Sequence, residues 1–432
     1  MDHFNYYNNM LFAEDVAIKD IAKHFGTPFY CYSTATLVRH YNVFCDAFKE
    51  IPTTVCFAIK ANSNQSILQT LAQQGAGGDA VSIGEIKRAI AAGISANKIV
   101  FSGVGKTKEE MAFALEQNIM QFNVESEPEL LALNEVASAK NMQAKIAIRV
   151  NPDVDAKTHE KISTGKKENK FGIELSRARE IYKLAATLPG IKVEAVSTHI
   201  GSQLTSLEPF EQAFSIISDL VKNLRSDGHQ INKIDLGGGL GIPYDMENPP
   251  SPVDYATMTI NKIKHLDCHL IFEPGRLIAG NAGILVSKVI YVKETPNKNF
   301  TIIDAAMNDL IRPSLYDSFH KIIKVDNRNI NQDGSDVSNK NGDDNIKFIT
   351  DIVGPVCETG DIFVKDYEIS PLKSGDLLAF RSCGAYGAVM SNNYNSRLLI
   401  PEILVKDNEC AVIRPRKTYE DLINDDVIAP WL

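Results

Sequence analysis

A repeated β-then-α pattern is the feature that most constrains the fold of this chain. Eight short β-rich segments lie between about positions 53 and 275, each followed by a polar or glycine-containing turn. The segments are 53–58, 78–82, 98–102, 120–124, 144–150, 193–199, 233–236 and 269–273. Segments with helical periodicity between them include 64–74, 83–92, 108–117, 127–140, 176–188 and 207–226. Eight such units predict an α/β fold, a closed (β/α)8 barrel rather than an open sheet.

The sequence changes character after position 280. The segments 284–292, 299–303, 347–353, 376–380 and 409–413 are apolar or β-branched and lack long helices between them. This pattern predicts a second, mainly antiparallel β domain over 281–432. The N-terminal segment, 1–34, is expected to add a strand to it near 28–32. The barrel domain is then expected over 35–280. The stretch 326–345 is almost entirely Asn, Asp, Ser, Gly and Lys, which predicts a mobile surface insertion.

Charge and composition argue against several classes of function. The net charge of −9 provides no basic patch for nucleic acid. The N-terminus lacks a basic segment followed by an apolar run, and no run of about 18 apolar residues occurs anywhere, so we expect a soluble, cytoplasmic protein with no membrane partner. The seven cysteines form no C-x-x-C pair, which indicates mostly buried thiols in a reducing compartment and no metal site.

Lys60 is the strongest local signal. It follows the first predicted barrel strand, in Phe57-Ala58-Ile59-Lys60-Ala61-Asn62, and active sites of such barrels lie at this end of the strands. A partly desolvated lysine there can form an imine with a carbonyl cofactor or substrate. Taken alone, a lysine at this position is more often a surface residue that caps a strand.

Glycine-rich turns follow the seventh and eighth strands, where barrels often bind a phosphate. They contain Gly237, Gly238, Gly239 and Gly275, and Glu273 ends the eighth strand. The glycine run does not fit G-x-G-x-x-G, because position 242 is Ile. A cofactor with its phosphate in these turns, its aldehyde at Lys60 and its ring nitrogen at Glu273 fits all three signals, which predicts pyridoxal phosphate. The alternatives are a tight strand-to-helix turn and an ordinary ion pair of Glu273 with Arg276.

Two further residues are expected at the same barrel end. His199 ends the sixth strand and can stack on the cofactor ring, although a local hydrogen bond is the usual role of such a histidine. Asp79 ends the second strand after two glycines and can orient Lys60 or His199. A turn-capping role for Asp79 stays open.

Together these motifs resemble the diaminopimelate decarboxylases, a family of fold-type III pyridoxal-phosphate enzymes with a barrel like that of alanine racemase. The similarity runs in the same order from about Thr27 to about Leu399. It is carried by the lysine motif, Gly78-Asp79-Ala80-Val81-Ser82-Ile83-Gly84-Glu85, His199-Ile200-Gly201-Ser202-Gln203, the glycine run at 237–239 and Glu273-Pro274-Gly275-Arg276. The resemblance implies that Ser202, Gly275 and Arg276 also contact the cofactor.

The resemblance also assigns residues in the C-terminal half. Arg312 and Tyr316, with Arg276, are expected to hold the distal end of the substrate, where a bidentate arginine selects a carboxylate. The segment from Cys357 to Asp361 matches a family loop in which the cysteine protonates the carbanion and Glu358 contacts the distal amine. Related enzymes supply this loop from a second subunit, so a homodimer with composite sites is expected. Tyr386 is expected to contact cofactor and substrate.

The predicted reaction is decarboxylation of meso-diaminopimelate to L-lysine. Competing hypotheses are decarboxylation of ornithine, arginine or carboxynorspermidine, and a non-catalytic protein that binds the cofactor. A racemase is disfavoured because racemases of this fold place arginine, not glutamate, at the pyridine nitrogen. Without the resemblance, Cys357 would be interpreted as a core thiol, Tyr386 as a structural tyrosine, and Arg312 as the ion-pair partner of Asp309 or Asp317.

Overall fold

The computed structural model describes residues 2–155, 170–327 and 348–432. Positions 328–345 of the predicted insertion therefore lie outside the described residues. The chain divides into two compact units, one formed by 1–37 with 279–432 and the other by 38–278. These division points lie within a few residues of the domain limits expected from the sequence. The domain organisation itself remains a prediction.

The N-terminal elements lead from the first unit into the second. Strands β1 to β3 form a small antiparallel sheet, and the Pro28-containing segment continues as a buried strand. The elements are β1 (Phe4–Tyr7), β2 (Met10–Ala13), β3 (Val16–Ala17), α1 (Ile18–Phe25), β4 (Phe29–Ser33) and α2 (Thr34–Ala47).

The second unit contains the barrel. Its described strands are β5 (Thr53–Ala58), β6 (Gly77–Ala80), β7 (Ile99–Phe101), β8 (Gln121–Val124), β9 (Ala144–Asn151), β10 (Ile173–Glu174), β11 (Ile191–Ser197), β12 (Lys233–Asp235) and β13 (His269–Phe272). Apart from the short β10, these strands pair in parallel around a ring that the β8–β9 and β13–β5 pairs complete. The predicted closed barrel of eight strands is confirmed for the described residues.

Helices follow the barrel strands. They are α3 (Gln65–Gln73), α4 (Ile83–Ala91), α5 (Lys108–Glu116), α6 (Glu127–Ala139), α7 (Leu175–Ala185), α8 (Glu208–Ser226), α9 (Pro252–Ile263) and α10 (Arg276–Ala279). Side-chain caps at Asn64, Ser82, Thr107 and Ser126 satisfy free N–H groups and fix where several of them begin. Helix α9 was not among the predicted helices, although Ser251 and Asp254 form a capping box that marks its start.

The remaining elements of the first unit form a mixed, mostly antiparallel sheet with two short helices. Its elements are β14 (Gly283–Glu294), β15 (Asn299–Ile303), α11 (Arg312–Tyr316), β16 (Ile322–Lys324), β17 (Phe348–Val353), β18 (Ile362–Ile369), β19 (Leu377–Phe380), β20 (Glu402–Lys406), β21 (Glu409–Arg414) and α12 (Tyr419–Asn424). Strand β4 lies between β14 and β20, so the N-terminal segment contributes a strand to this sheet.

Short 3₁₀ turns complete the described secondary structure. They span Ile59–Ala61, Ala96–Lys98, Lys264–Leu266, Gly280–Ala282, Ala388–Met390 and Tyr394–Ser396. None of the helices in the described ranges is long and apolar enough to cross a membrane. All seven cysteines are free, and four of them are buried.

Candidate active site

Lys60 and Asp79 form an ion pair at the C-terminal end of the barrel strands. The 3₁₀ turn Ile59–Ala61 begins directly after β5, and Asp79 lies opposite Ala58 on the neighbouring strand β6. The Lys60 Nζ lies 2.7 Å from the Asp79 Oδ2. The Lys60 side chain is 37% exposed and that of Asp79 is fully buried. Asp79 is thus in contact with Lys60, and its role in orienting the lysine remains a prediction.

The glycines after β12 and β13 allow backbones to approach closely. A Cβ on Gly238 would lie 2.3 Å from the Glu273 carbonyl oxygen, and one on Gly239 would lie 2.4 Å from the Gly201 carbonyl oxygen. A Cβ on Gly275 would lie 2.9 Å from the Ala61 Cβ. Real Cβ atoms do not come this close to carbonyl oxygens. A larger residue at Gly238 would therefore push its loop away from Glu273, and one at Gly239 would push it away from Gly201.

The N–H groups of the first two glycines are already used within the protein. Gly237 donates to the Asp235 Oδ1 at 3.0 Å, and Gly238 donates to the His199 Nδ1 at 3.1 Å. Gly237 also has a φ of +64°, which favours glycine. These two residues therefore shape the loop, and an anion would be bound by backbone groups further along it.

His199 is held as a neutral ring. Because its Nδ1 accepts from Gly238, the ring proton is on Nε2. Burial, with the positive charges of Arg149 and Lys60 nearby, holds the pKa of His199 well below its usual range. An uncharged imidazole at this barrel end suits contact with an aromatic ring.

Glu273 belongs to a polar network inside the barrel. Its Oε1 accepts from the Asn123 Nδ2 at 3.1 Å and from the Ser102 hydroxyl at 3.3 Å. The same Asn123 nitrogen donates to the Asp235 Oδ2 at 2.8 Å. All four side chains are buried, and they come from the ends of β7, β8, β12 and β13. Glu273 therefore belongs to a buried hydrogen-bond network rather than to an ordinary ion pair at the surface.

Arg276 is fixed by neutral side chains. Its Nη1 donates to the Tyr244 hydroxyl at 2.6 Å, and its Nη2 donates to the Ser202 Oγ at 3.2 Å. Arg276 is 6% exposed, so its guanidinium is held in one orientation. The structure brings Ser202 and Arg276 together, and their contact with a cofactor remains a prediction.

The second group of predicted residues lies in the unit formed by the mixed sheet. Arg312 begins α11 and is buried, and its Nη1 lies 3.4 Å from the His320 Nε2. Its Nη2 donates to the Ser318 Oγ at 3.2 Å. The His320 Nδ1 lies 2.9 Å from the Arg381 carbonyl oxygen, so the ring donates there and presents the Nε2 lone pair to Arg312. Tyr316, at the end of the same helix, is half-buried.

Asp361 links the predicted substrate segment to the cysteine loop. Its carboxyl oxygens accept from the N–H of Met307 at 2.6 Å and from the N–H of Val356 at 2.7 Å. The next residue, Cys357, is exposed, and its N–H donates to the Asn395 Oδ1 at 3.1 Å. Glu358 is also exposed and accepts from the Tyr394 hydroxyl, which raises the pKa of Tyr394.

Tyr386 has an unusual backbone conformation. Its φ is +56°, in the left-handed region that a bulky residue rarely adopts, at a cost of about 1–3 kcal/mol. The neighbouring chain is tightly packed, since a Cβ on Gly384 would lie 1.9 Å from the Ala279 carbonyl oxygen. Such strain occurs at functional positions, and the contact of Tyr386 with cofactor and substrate remains a prediction.

Sequence reasoning missed several residues that support the site. Asn123, Asp235, Tyr244, His320 and Asp361 were given no role, yet each contacts a predicted site residue or its loop. The sequence did contain a signal for Asp235, because an acidic residue stands at the end of a predicted strand, just before the glycine run. Nothing in the local sequence distinguishes Asn123 or His320 from ordinary polar residues.

Comparison with known proteins agrees with this geometry. The profile of the family described as "Pyridoxal-dependent decarboxylase, pyridoxal binding domain" matches residues 34–280. The diaminopimelate decarboxylase of Vibrio cholerae is 49% identical over 98% of both chains. The crystal structure of the M. jannaschii diaminopimelate decarboxylase in complex with L-lysine has a TM-score of 0.92 at 38% identity, covering 100% of this chain and 99% of that one. The Helicobacter pylori enzyme complexed with L-lysine has a TM-score of 0.88 at 40% identity, covering 94% and 98%.

The barrel, with a lysine, a glycine-rich turn and a buried acid at one end of its strands, defines a pyridoxal-phosphate-dependent decarboxylase of the carboxy-lyase class. The sequence identity over the whole chain is more specific. Within that class, the chain belongs to the diaminopimelate decarboxylase family.

Proposed function

We propose that this protein removes the carboxyl group from the D-configured carbon of meso-2,6-diaminopimelate and releases L-lysine and CO₂, the last step of lysine biosynthesis. The observation that carries the proposal is the Lys60–Asp79 ion pair at the same barrel end as Glu273 and the glycine turns. The C-terminal ends of parallel barrel strands face one mouth, where such enzymes build their active sites.

The residues present fit pyridoxal phosphate. The Asp79 Oδ1 is buried and has no hydrogen-bond partner among the described residues, and the glycines let the backbone of their loop approach Glu273 and Gly201 closely. Glu273 offers a buried acid for a ring nitrogen, and the neutral His199 offers a flat surface for the ring. Gly239, Gly275 and Arg276 would contact the phosphate, while Gly237, Gly238 and Ser202 shape the same pocket wall.

When bound, the cofactor supplies an aldehyde that combines with an amine and a conjugated ring that accepts the electron pair left by CO₂. Lys60 provides the amine, and Asp79 keeps its Nζ directed at the mouth. With the cofactor bound, Glu273 would hold a proton at the ring nitrogen, which would strengthen the ring as an electron acceptor. His199 would cover one ring face and exclude water from it.

Residues of the sheet-containing unit recognise the substrate in this proposal. Arg312, with Arg276, pairs with the distal carboxylate, since an arginine fork matches a carboxylate in geometry and charge. Glu358 binds the distal ammonium, and Tyr316 and Tyr386 line the substrate. Cys357 delivers a proton from its Sγ to the carbon that has lost CO₂.

We further propose that the active form is a cytoplasmic homodimer in which the Cys357–Glu358 loop completes the site of the partner subunit. Two observations support an intermolecular role for the loop: Cys357 and Glu358 are both exposed, and Asp361 fixes the backbone behind them. Free cysteines fit a reducing compartment.

A CO₂-release assay tests the function. The purified protein with added pyridoxal phosphate is compared on meso-diaminopimelate, ornithine, arginine and carboxynorspermidine. We expect strong preference for diaminopimelate and loss of release in Lys60→Ala. Release from another substrate would overturn the roles of Arg312 and Glu358, and no release from any would leave a protein that only binds the cofactor.

A further inference from the structure

The inside of the barrel mouth holds more negative groups than the proposed chemistry uses. Asp79, Asp235 and Glu273 are all buried there, at 0%, 0% and 8% exposure. Lys60 pairs with Asp79, whereas Asp235 and Glu273 converge on one nitrogen: the Asn123 Nδ2 lies 2.8 Å from the Asp235 Oδ2 and 3.1 Å from the Glu273 Oε1. Two buried carboxyl groups this close to one donor oppose each other's ionisation, which favours a proton on one of them.

Among the described residues, the Gly237 N–H donates to the Asp235 Oδ1 at 3.0 Å and the Ser102 hydroxyl donates to the Glu273 Oε1 at 3.3 Å, and the other donors are the side-chain amides of Asn123 and Gln121. The Asn123 Nδ2 carries two hydrogens, yet it lies within 3.1 Å of three oxygens, those of Asp235, Glu273 and Ser102. The Gln121 amide nitrogen lies closer to the Asn123 Oδ1, at 2.8 Å, than to the Asp235 Oδ2, at 3.4 Å. Two fully ionised carboxylates would therefore compete for the hydrogens of one amide in a buried site, which costs free energy.

We propose that Asp235 and Glu273 share one proton in the cofactor-free protein, and that Asp235 is a positioning residue that keeps this proton on Glu273 at the place of the cofactor's ring nitrogen. This inference rests on the proposed function for the identity of the cofactor. The sharing of the proton depends only on the described side chains.

The charges around the pair agree with a shared proton. The groups that interact with Glu273 are Asp235 and Asp79, which oppose its ionisation, and Lys60, which favours it. The buried thiol of Cys56 also faces this cluster. Burial and the neighbouring acids raise the pKa of Glu273 well above its usual range and raise that of Asp235 to about 6.

Binding of a ring nitrogen beside Glu273 would change the number of protons that Asp235 and Glu273 carry together. If the nitrogen arrives unprotonated, the proton moves from Glu273 to it, which leaves a carboxylate facing a pyridinium. If it arrives protonated, Glu273 releases its own proton to water. In both cases the pair ends ionised, with Asp235 adding negative charge close to the new cation.

Infrared difference spectroscopy on the full-length, cofactor-free protein tests this. We expect a protonated-carboxyl C=O band at neutral pH that disappears on addition of pyridoxal phosphate and is absent from Glu273→Gln. In Asp235→Asn the band should titrate about one pH unit lower, and cofactor affinity should fall about tenfold. Glu402→Gln is the control, because this buried carboxylate pairs with Arg414 at 2.9 Å in the other unit.

The outcomes separate the two proposals. If pyridoxal phosphate binds and no band is lost, or if Asp235→Asn titrates and binds as the wild type does, the shared proton is wrong and the function stands. If the wild type does not bind pyridoxal phosphate, the function fails, and the titration in the cofactor-free protein still decides the proton. Should Asp235→Asn not fold, the comparison of wild type with Glu273→Gln decides it.

Discussion

The ammonium of Lys60 lies 2.7 Å from the fully buried carboxylate of Asp79. The pair joins the ends of two neighbouring parallel strands, and the second oxygen of Asp79 has no hydrogen-bond partner among the described residues. If Lys60 forms the imine that we propose, this ion pair directs its Nζ before any cofactor is bound.

Replacing Asp79 with asparagine should therefore slow the reaction without preventing folding. We expect kcat for CO₂ release to fall roughly tenfold to a hundredfold, the value of a hydrogen bond to a charged group. Glu135→Gln, which removes an exposed ion pair with Lys108, is the control and should leave kcat unchanged. Equal kcat values for Asp79→Asn and wild type would show that the pair does not orient Lys60.

A methyl group at Gly238 should damage the cofactor loop. The new Cβ would meet the Glu273 carbonyl oxygen at 2.3 Å, so we expect a loss of about 1–3 kcal/mol in stability and weaker cofactor binding. Gly105→Ala is the matched control, because a Cβ there has nothing within 4 Å. Thermal unfolding and a fluorescence titration with pyridoxal phosphate measure both effects. Similar behaviour of the two variants would contradict the close packing.

His320 should set the position of Arg312. Removing the ring in His320→Ala takes away the contact at 3.4 Å, and we expect KM for diaminopimelate to rise about tenfold with kcat within about twofold. His265→Ala, which removes an exposed histidine bonded to Ser218, should leave both constants unchanged. A fall in kcat with KM unaltered would mean that His320 acts on the chemistry or the fold rather than on substrate binding.

Asp309 should make stability depend on pH. Burial raises its pKa from 3.8 to about 7, so the folded state binds the proton more tightly than the unfolded state does. The resulting stabilisation is present below pH 3.8 and is lost as the pH rises through about 7, on the order of 4 kcal/mol in total. Urea unfolding from pH 4 to pH 8 should show a smaller loss in Asp309→Asn, while Asp219→Asn, at an exposed acid, should follow the wild type.

Composite sites should allow two inactive variants to complement each other. If each site takes Lys60 from one subunit and Cys357 from its partner, a heterodimer of Lys60→Ala and Cys357→Ala has one native site of two. Differently tagged chains, co-expressed and purified in tandem, should then show about half of the wild-type activity. Inactive heterodimers would place both residues in one subunit's site.

The sequence by itself determined the barrel. Strand pattern, turn residues and helix periodicity are local properties, so the eight segments were found with ends that differ by a few residues from the strands observed. The lysine, the glycine turns and Glu273 were identified in the same way, because each follows a strand whose C-terminal end faces the barrel mouth.

Only the tertiary structure decided which side chains support those residues. Asn123 contacts Asp235 and Glu273 across 112 and 150 positions of sequence, and His320 reaches Arg312 only because the helix and the following turn fold back. The partner, the burial and hence the protonation of a polar group depend on which distant side chains point at it. Local pattern holds no information on these directions, since burial and electrostatics arise only when the chain has packed.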